Sequence, residues 1–83
     1  MWEAAALGMM AEVEEYFAGA VPPAADEITN AFWCACHGGQ LGTAGYLLAR
    51  GADLNWVGYD GLTPIGAARR SKAYDVVAWL EGK

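Results

Sequence analysis

Positive charge is scarce in this sequence: five cations, Arg50, Arg69, Arg70, Lys72 and Lys83, stand against ten carboxylates, for a net charge of −5. Nucleic-acid binding depends on cations that displace counterions from phosphates, so no nucleic-acid partner is expected. Charge of either sign is sparse, at 18% of residues against 55% hydrophobic, and so apolar a chain does not stay disordered in water. Long hydrophobic runs are missing as well. Nothing approaches the roughly 18 apolar residues of a membrane span, and Met1-Trp2-Glu3 lacks the basic stretch of a secretory signal. A cytoplasmic location and no membrane partner are the resulting expectations. Cysteine is confined to Cys34 and Cys36, one residue apart, which closes too small a loop for an ordinary structural disulfide and points to a reducing compartment. With 83 residues there is room for one domain, 1–83, and a small core.

What the sequence does have is repetition. Sliding the chain by 33 residues sets Ala31 over Pro64, Phe32 over Ile65, Ala35 over Ala68, Ala44 over Val77 and Leu47 over Leu80. A slide of 31 residues brings in the first stretch, with Ala4 over Ala35, Gly8 over Gly39, Val13 over Ala44 and Tyr16-Phe17 over Leu47-Leu48. Each unit reads as two helices. Val13, Tyr16 and Phe17, then Ala44, Leu47 and Leu48, then Val77 and Leu80 have the spacing that gathers apolar side chains on one helical face. The preceding helices centre on small residues, Ala4-Ala5, Ala35-Cys36 and Ala67-Ala68, which allow close helix approach. Gly8 and Gly39 stand where those helices end, a place for left-handed backbone. The pattern predicts helices near 2–7, 11–18, 31–37, 41–49, 64–70 and 74–81, in units of about 1–29, 30–62 and 63–83. Pro22-Pro23 forbids helix between the first two units.

From Gly51 to Pro64 the chain reads as a hairpin-like loop. Gly51, Gly58 and Gly61 mark bends, Asp53, Asn55 and Asp60 can bond nearby backbone, and Thr63-Pro64 supplies a capping residue followed by proline at the first helical position. Leu47-Leu48-Ala49-Arg50-Gly51-Ala52-Asp53-Leu54-Asn55, followed by Asp60-Gly61-Leu62-Thr63-Pro64-Ile65, resembles the ankyrin repeat, with its 33-residue period and Thr-Pro-Leu-His helix start. The resemblance is specific over residues 30–80 and weaker over 2–17. It implies an all-α solenoid of about two and a half helix-turn-helix units. Three departures matter: Asn30-Ala31-Phe32-Trp33 replaces Thr-Pro-Leu-His in the second unit, Gly66 replaces the histidine in the third, and Lys72 stands where a turn glycine is usual. Because that histidine ties adjacent loops together in the family, the loops here are expected to be held less firmly.

Candidate chemistry is thin. Cys34 and Cys36 point roughly 200° apart on a helix, and no second Cys or His group completes a zinc site, so no metal is expected. The plainer reading puts Cys36 in a small core position and Cys34 on a partly exposed inner face. Cys34 and His37 are spaced as a thiolate–imidazole pair, but nothing orients the ring or offers an oxyanion site, so neither an enzyme nor a cofactor is expected. Gly38-Gly39 lacks the phosphate-loop pattern and its lysine. Glu12, Glu14 and Glu15 read as a solvated helix face.

The function expected is therefore a non-catalytic protein-interaction module. The resemblance implies recognition of a protein partner through the inner faces of the first helices and the hairpin tips. In the 33-residue register that strip holds Trp33, Cys34, His37 and Gly38 from the second unit, with Tyr59, Asp60, Leu62, Ala67, Arg70 and Ser71 from the third. Trp56 and Trp33 read rather as packing on each other or on the loop, whereas Tyr59 falls at a hairpin tip and is expected to be free of the core. The alternative is a piece of a longer array, or a subunit that forms homo-oligomers through uncapped ends. Met1, Trp2, Leu7 and Met9 are the candidates at the first end, Val76 and Trp79 at the second.

Overall fold

A computed structural model describes residues 1–83 as six α-helices with no strand. They are α1 (Trp2–Leu7), α2 (Met10–Ala18), α3 (Ala25–His37), α4 (Leu41–Ala49), α5 (Pro64–Arg70) and α6 (Tyr74–Glu81). Five lie where the periodicity puts them, to within one residue, and α3 starts six residues earlier than expected. The reason lies in the two helix starts. At α5 the Thr63 hydroxyl accepts the Gly66 N–H at 3.2 Å and Pro64 occupies the first helical position, so the helix begins there. At the corresponding place Asn30-Ala31 contains no proline, and helix runs backward until Pro22-Pro23 prevents it. Ala24 is extended, and Asp26 and Glu27 occupy the first turn, where negative charge suits the helix dipole.

The turn inside each unit is the same object three times. Gly8, Gly39 and Lys72 all have left-handed φ, of 72°, 74° and 60°. Met9, Gln40 and Ala73 donate their N–H groups back to Ala4, Ala35 and Ala68 at 2.9, 2.8 and 2.9 Å. Val13, Ala44 and Val77 then donate to Met9, Gln40 and Ala73 at 3.1, 2.9 and 3.0 Å, starting the second helix. The repetition of small residues in sequence is thus a repetition of hydrogen-bond path.

The helices α1, α3 and α5 pack side by side, and each packs on the second helix of its own pair, giving a body of 35 × 22 × 20 Å. Ala4, Ala35 and Ala68 are buried on the first helices, Val13, Ala44, Val77, Leu47 and Leu80 on the second, around the fully enclosed Phe32. At Gly38 the approach is closest: a Cβ there would collide with the carbonyl oxygen of Ala6. Val76, expected at an open end, is instead fully buried. It precedes Leu80 by four residues and shares the inward face of α6. Trp79 is half covered, its ring edge-on to Phe32 and its face under the Lys83 ammonium at 5.0 Å. No helix is long and apolar enough to cross a membrane.

Between α4 and α5 the chain forms a hairpin-like tip without a strand ladder. Asp60 and Gly61 both take positive φ, 56° and 68°, and the Leu62 N–H donates to the Tyr59 carbonyl at 3.1 Å, the pattern of a type I′ turn at an Asp-Gly pair. The Gly58 N–H closes the loop onto the Leu62 carbonyl at 2.8 Å.

Candidate functional site

The hairpin tip is bound to α3 by side chains. Trp33 Nε1–H donates to the Leu62 carbonyl at 2.8 Å, and the Tyr59 hydroxyl donates to Asn30 Oδ1 at 2.7 Å. Lower in the loop, the Asp53 N–H donates to the buried Thr29 hydroxyl at 2.9 Å while Asp53 Oδ1 accepts from the Asn55 N–H at the same distance. For this loop the expectation of a weak hold is therefore corrected: Trp33, at the position where the resemblance implies a histidine, ties it with its own indole N–H. Aromatic contacts reinforce this. Tyr59 meets Trp33 edge-on at 5.1 Å and Trp56 at 6.1 Å, and His37 lies parallel to Trp33 at 5.4 Å. Gly58 admits the cluster, since a Cβ there would stand 2.5 Å from the Trp56 ring and 2.9 Å from Trp33.

These contacts rearrange the expected strip. Ala67 is fully enclosed and Trp33 and Cys34 are buried, forming a small apolar cluster with Ala6, Trp56 and Leu62 against it. Ala67 therefore lies beneath the surface instead of on it, and Trp33 and Cys34 face the inner side with only 6% and 7% of their surface open. The physical reason is the close packing of α3 between α1 and α5, with Trp56 and Leu62 of the loop laid over the same face. His37, Gly38, Tyr59, Asp60, Arg70 and Ser71 are exposed, and Leu62 is half-buried. Arg70 and Asp60 meet at 3.4 Å as an exposed ion pair. Tyr59 keeps 53% of its surface in solvent but is held by a hydrogen bond and two rings, so it is a structural member of the tip as well as an exposed one.

A groove of about 330 Å³ opens on this face, walled by Trp2, Ala6, Trp33, Cys34, His37 and Tyr59. Trp2 and Ala6 were not placed in the strip, although the 31-residue offset carries the signal: Trp2 occupies the register of Trp33 and Ala6 that of His37. The groove is apolar, with one imidazole and one thiol. Burial pushes the Cys34 thiol up, the N-terminal ammonium opposing it, and burial with Cys34 nearby pushes Cys36 up to about 12. Both sulfurs are thus protonated at neutral pH, and they belong to different apolar clusters. What the groove offers is shape and aromatic surface.

On the far side of Tyr59 lies a second, wider depression of about 520 Å³, bordered by Asp26, Glu27, Asn30, Trp56, Val57, Gly58 and Tyr59. Its carboxylates lie ahead of the helix that the periodicity predicts near 31–37, in the two turns that α3 adds at its start. An acidic pair directly after Pro22-Pro23-Ala24 is nonetheless a helix-start signal.

No protein-family model matches the chain, and no solved structure matches it significantly. A stretch of 53 residues, 64% of the chain, is 38% identical to an ankyrin repeat and KH domain-containing protein of Caenorhabditis briggsae. The match spans about 2% of that protein's length.

Proposed function

We propose that this chain is a non-catalytic module of about two and a half ankyrin-type units, which holds a protein partner in the groove between α1, α3 and the hairpin tip. The observation that carries the reading is the turn repeated three times at offsets of 31 and 33 residues, with its first helices aligned on one grooved face. The partial likeness to an ankyrin-repeat protein supports it. Rigid aromatic walls suit such a role, because Trp and Tyr bury much area while freezing few torsions. The two reduced, buried thiols fit a cytoplasmic setting.

The test compares capture of protein from native-cell lysate by the wild-type chain with capture by two variants. Trp2→Ala combined with His37→Ala removes two of the three exposed walls of the groove and should abolish capture of the specific band. Glu12→Gln, Glu14→Gln and Glu15→Gln together alter α2, outside the groove, and should leave it intact. The reverse result overturns the assignment.

One observation favours a second reading, self-association. Leu7 on α1 is 70% exposed, and Met9 in the turn after it 42%. A further helix pair, or a second copy of this chain, would cover them.

A further inference from the structure

The groove beside Trp2 and His37 does not use Trp56, which stands as a rib on the loop with a depression on either side. One side is bordered by Asp26, Glu27, Asn30 and Tyr59, the other, of about 340 Å³, by Asp26, Thr29 and Asp53. Three exposed carboxylates, Asp26, Glu27 and Asp53, thus surround one half-exposed indole.

None of the chain's cations answers them. Arg69 is paired with Glu81 at 3.2 Å and Arg70 with Asp60 at 3.4 Å. Arg50 lies 3.5 Å above the Tyr46 ring and 5.5 Å from Phe17, and Lys83 lies over Trp79. Lys72 stands in the turn between α5 and α6, outside both depressions. The loop wall is also apolar beyond the indole: Val57 is 59% exposed beside it. A helix start accounts for Asp26 and Glu27 being acidic, and packing on the Trp33 cluster for one side of Trp56, but neither accounts for the exposed Val57 beside the half-exposed ring.

We infer that the Trp56 rib binds an arginine of a basic segment in a partner protein, the guanidinium lying against the indole and forking to Asp26 or Glu27 while its aliphatic stem rests on Val57. Arginine fits better than lysine because a planar cation can stack on the ring and bond a carboxylate bidentately in one pose, and because it sheds water more readily. The net charge of −5 draws such a segment in. This rests on the protein-binding reading above and names the chemistry of the partner.

The experiment uses the full chain and a defined probe, the capped pentapeptide Gly-Arg-Gly-Arg-Gly, titrated at low salt while amide and indole resonances are followed by NMR. The Trp56 indole N–H and the amides of Asp26, Glu27, Val57 and Gly58 should shift together. Asp26→Asn with Glu27→Gln should weaken binding about tenfold or more. The Glu12, Glu14, Glu15 triple glutamine variant, which removes more charge, should weaken it several-fold less than the Asp26/Glu27 variant. The lysine counterpart of the peptide should bind several-fold more weakly. Shifts spread over Glu12–Tyr16, equal weakening by the triple variant, equal affinity for the lysine peptide, or no localised shift overturns the inference. The Trp2/His37 variant leaves the rib untouched, so absence of peptide binding at the rib in the wild type, while capture is still lost in that variant, rejects this inference alone. Capture that persists in the Trp2/His37 variant, with peptide binding at the rib intact, rejects the groove assignment.

Discussion

At the scale of single residues, Lys72 and Cys36 make opposite demands on their surroundings. Lys72 holds a left-handed backbone with φ 60°, as Gly8 and Gly39 do, but carries a side chain for which that region costs roughly 1 kcal/mol. Its side chain makes no hydrogen bond or ion pair, so nothing is forfeited on its removal. Lys72→Gly should stabilise the fold by about 0.5–1 kcal/mol, read as a melting temperature a few degrees higher. Cys36 is fully enclosed, and its thiol is pushed up to about 12 from an ordinary 9.0. Between those values the unfolded chain releases a proton that the folded chain retains. The contribution of the neutral thiol is therefore whole below about pH 9 and drains away as pH climbs toward 12. Denaturant midpoints at about pH 7 and pH 10.5 should fall further for the wild type than for Cys36→Ala, and equal falls would mean the burial is not felt.

At the scale of helices, α1 is short and its seat on α3 depends on Gly38, whose missing Cβ lets the Ala6 carbonyl approach. Gly38→Ala should cost about 1–3 kcal/mol by urea unfolding, because the backbone cannot yield as a side chain does. Gly42→Ala, on the exposed side of α4 where nothing lies within 4 Å, should instead be neutral or stabilise by up to about 1 kcal/mol. Equal effects at the two sites would show that helix propensity alone decides. The contrast also marks what could be read in advance. Five helices and the three turns were legible because apolar spacing and left-handed positions are local signals. The two added turns of α3 were missed because the units were aligned on Thr63-Pro64, whose stop signal Asn30-Ala31 does not share. With that start misplaced, Asp26 and Glu27 could not be set beside Trp56. Nor could the burial of Cys34 and Ala67, which arises from neighbours far along the chain, be seen in a register that shows only which face a residue occupies. Trp33 was recognised as a departure, but its hydrogen bond to Leu62 needed the loop's path.

At the scale of the whole molecule, the two ends of the stack differ. Val76 is buried and Trp79 half covered at the second end, where Tyr74 is the one large hydrophobic side chain left open, whereas Leu7, Trp2 and Met9 all remain open at the first. Any self-association should therefore run through α1 and the turn after it. Raising the protein concentration a hundredfold, by about two decades, should lift the melting temperature measurably, and Leu7→Glu should remove that dependence. A dependence that survives Leu7→Glu but vanishes on altering Tyr74 would place the contact at the other end. The stack also has a centre: α3 rests against α1, α4 and α5, while α1 and α2 meet the rest of the chain chiefly through α3. An outer pair can lift away and settle again without disturbing the others, but α3 cannot loosen unless everything beside it does. In heavy water the exchange of hydrogen for deuterium would thus advance from the margins of the stack inward, and the amide protons between Ala31 and Cys36 would be the last to leave.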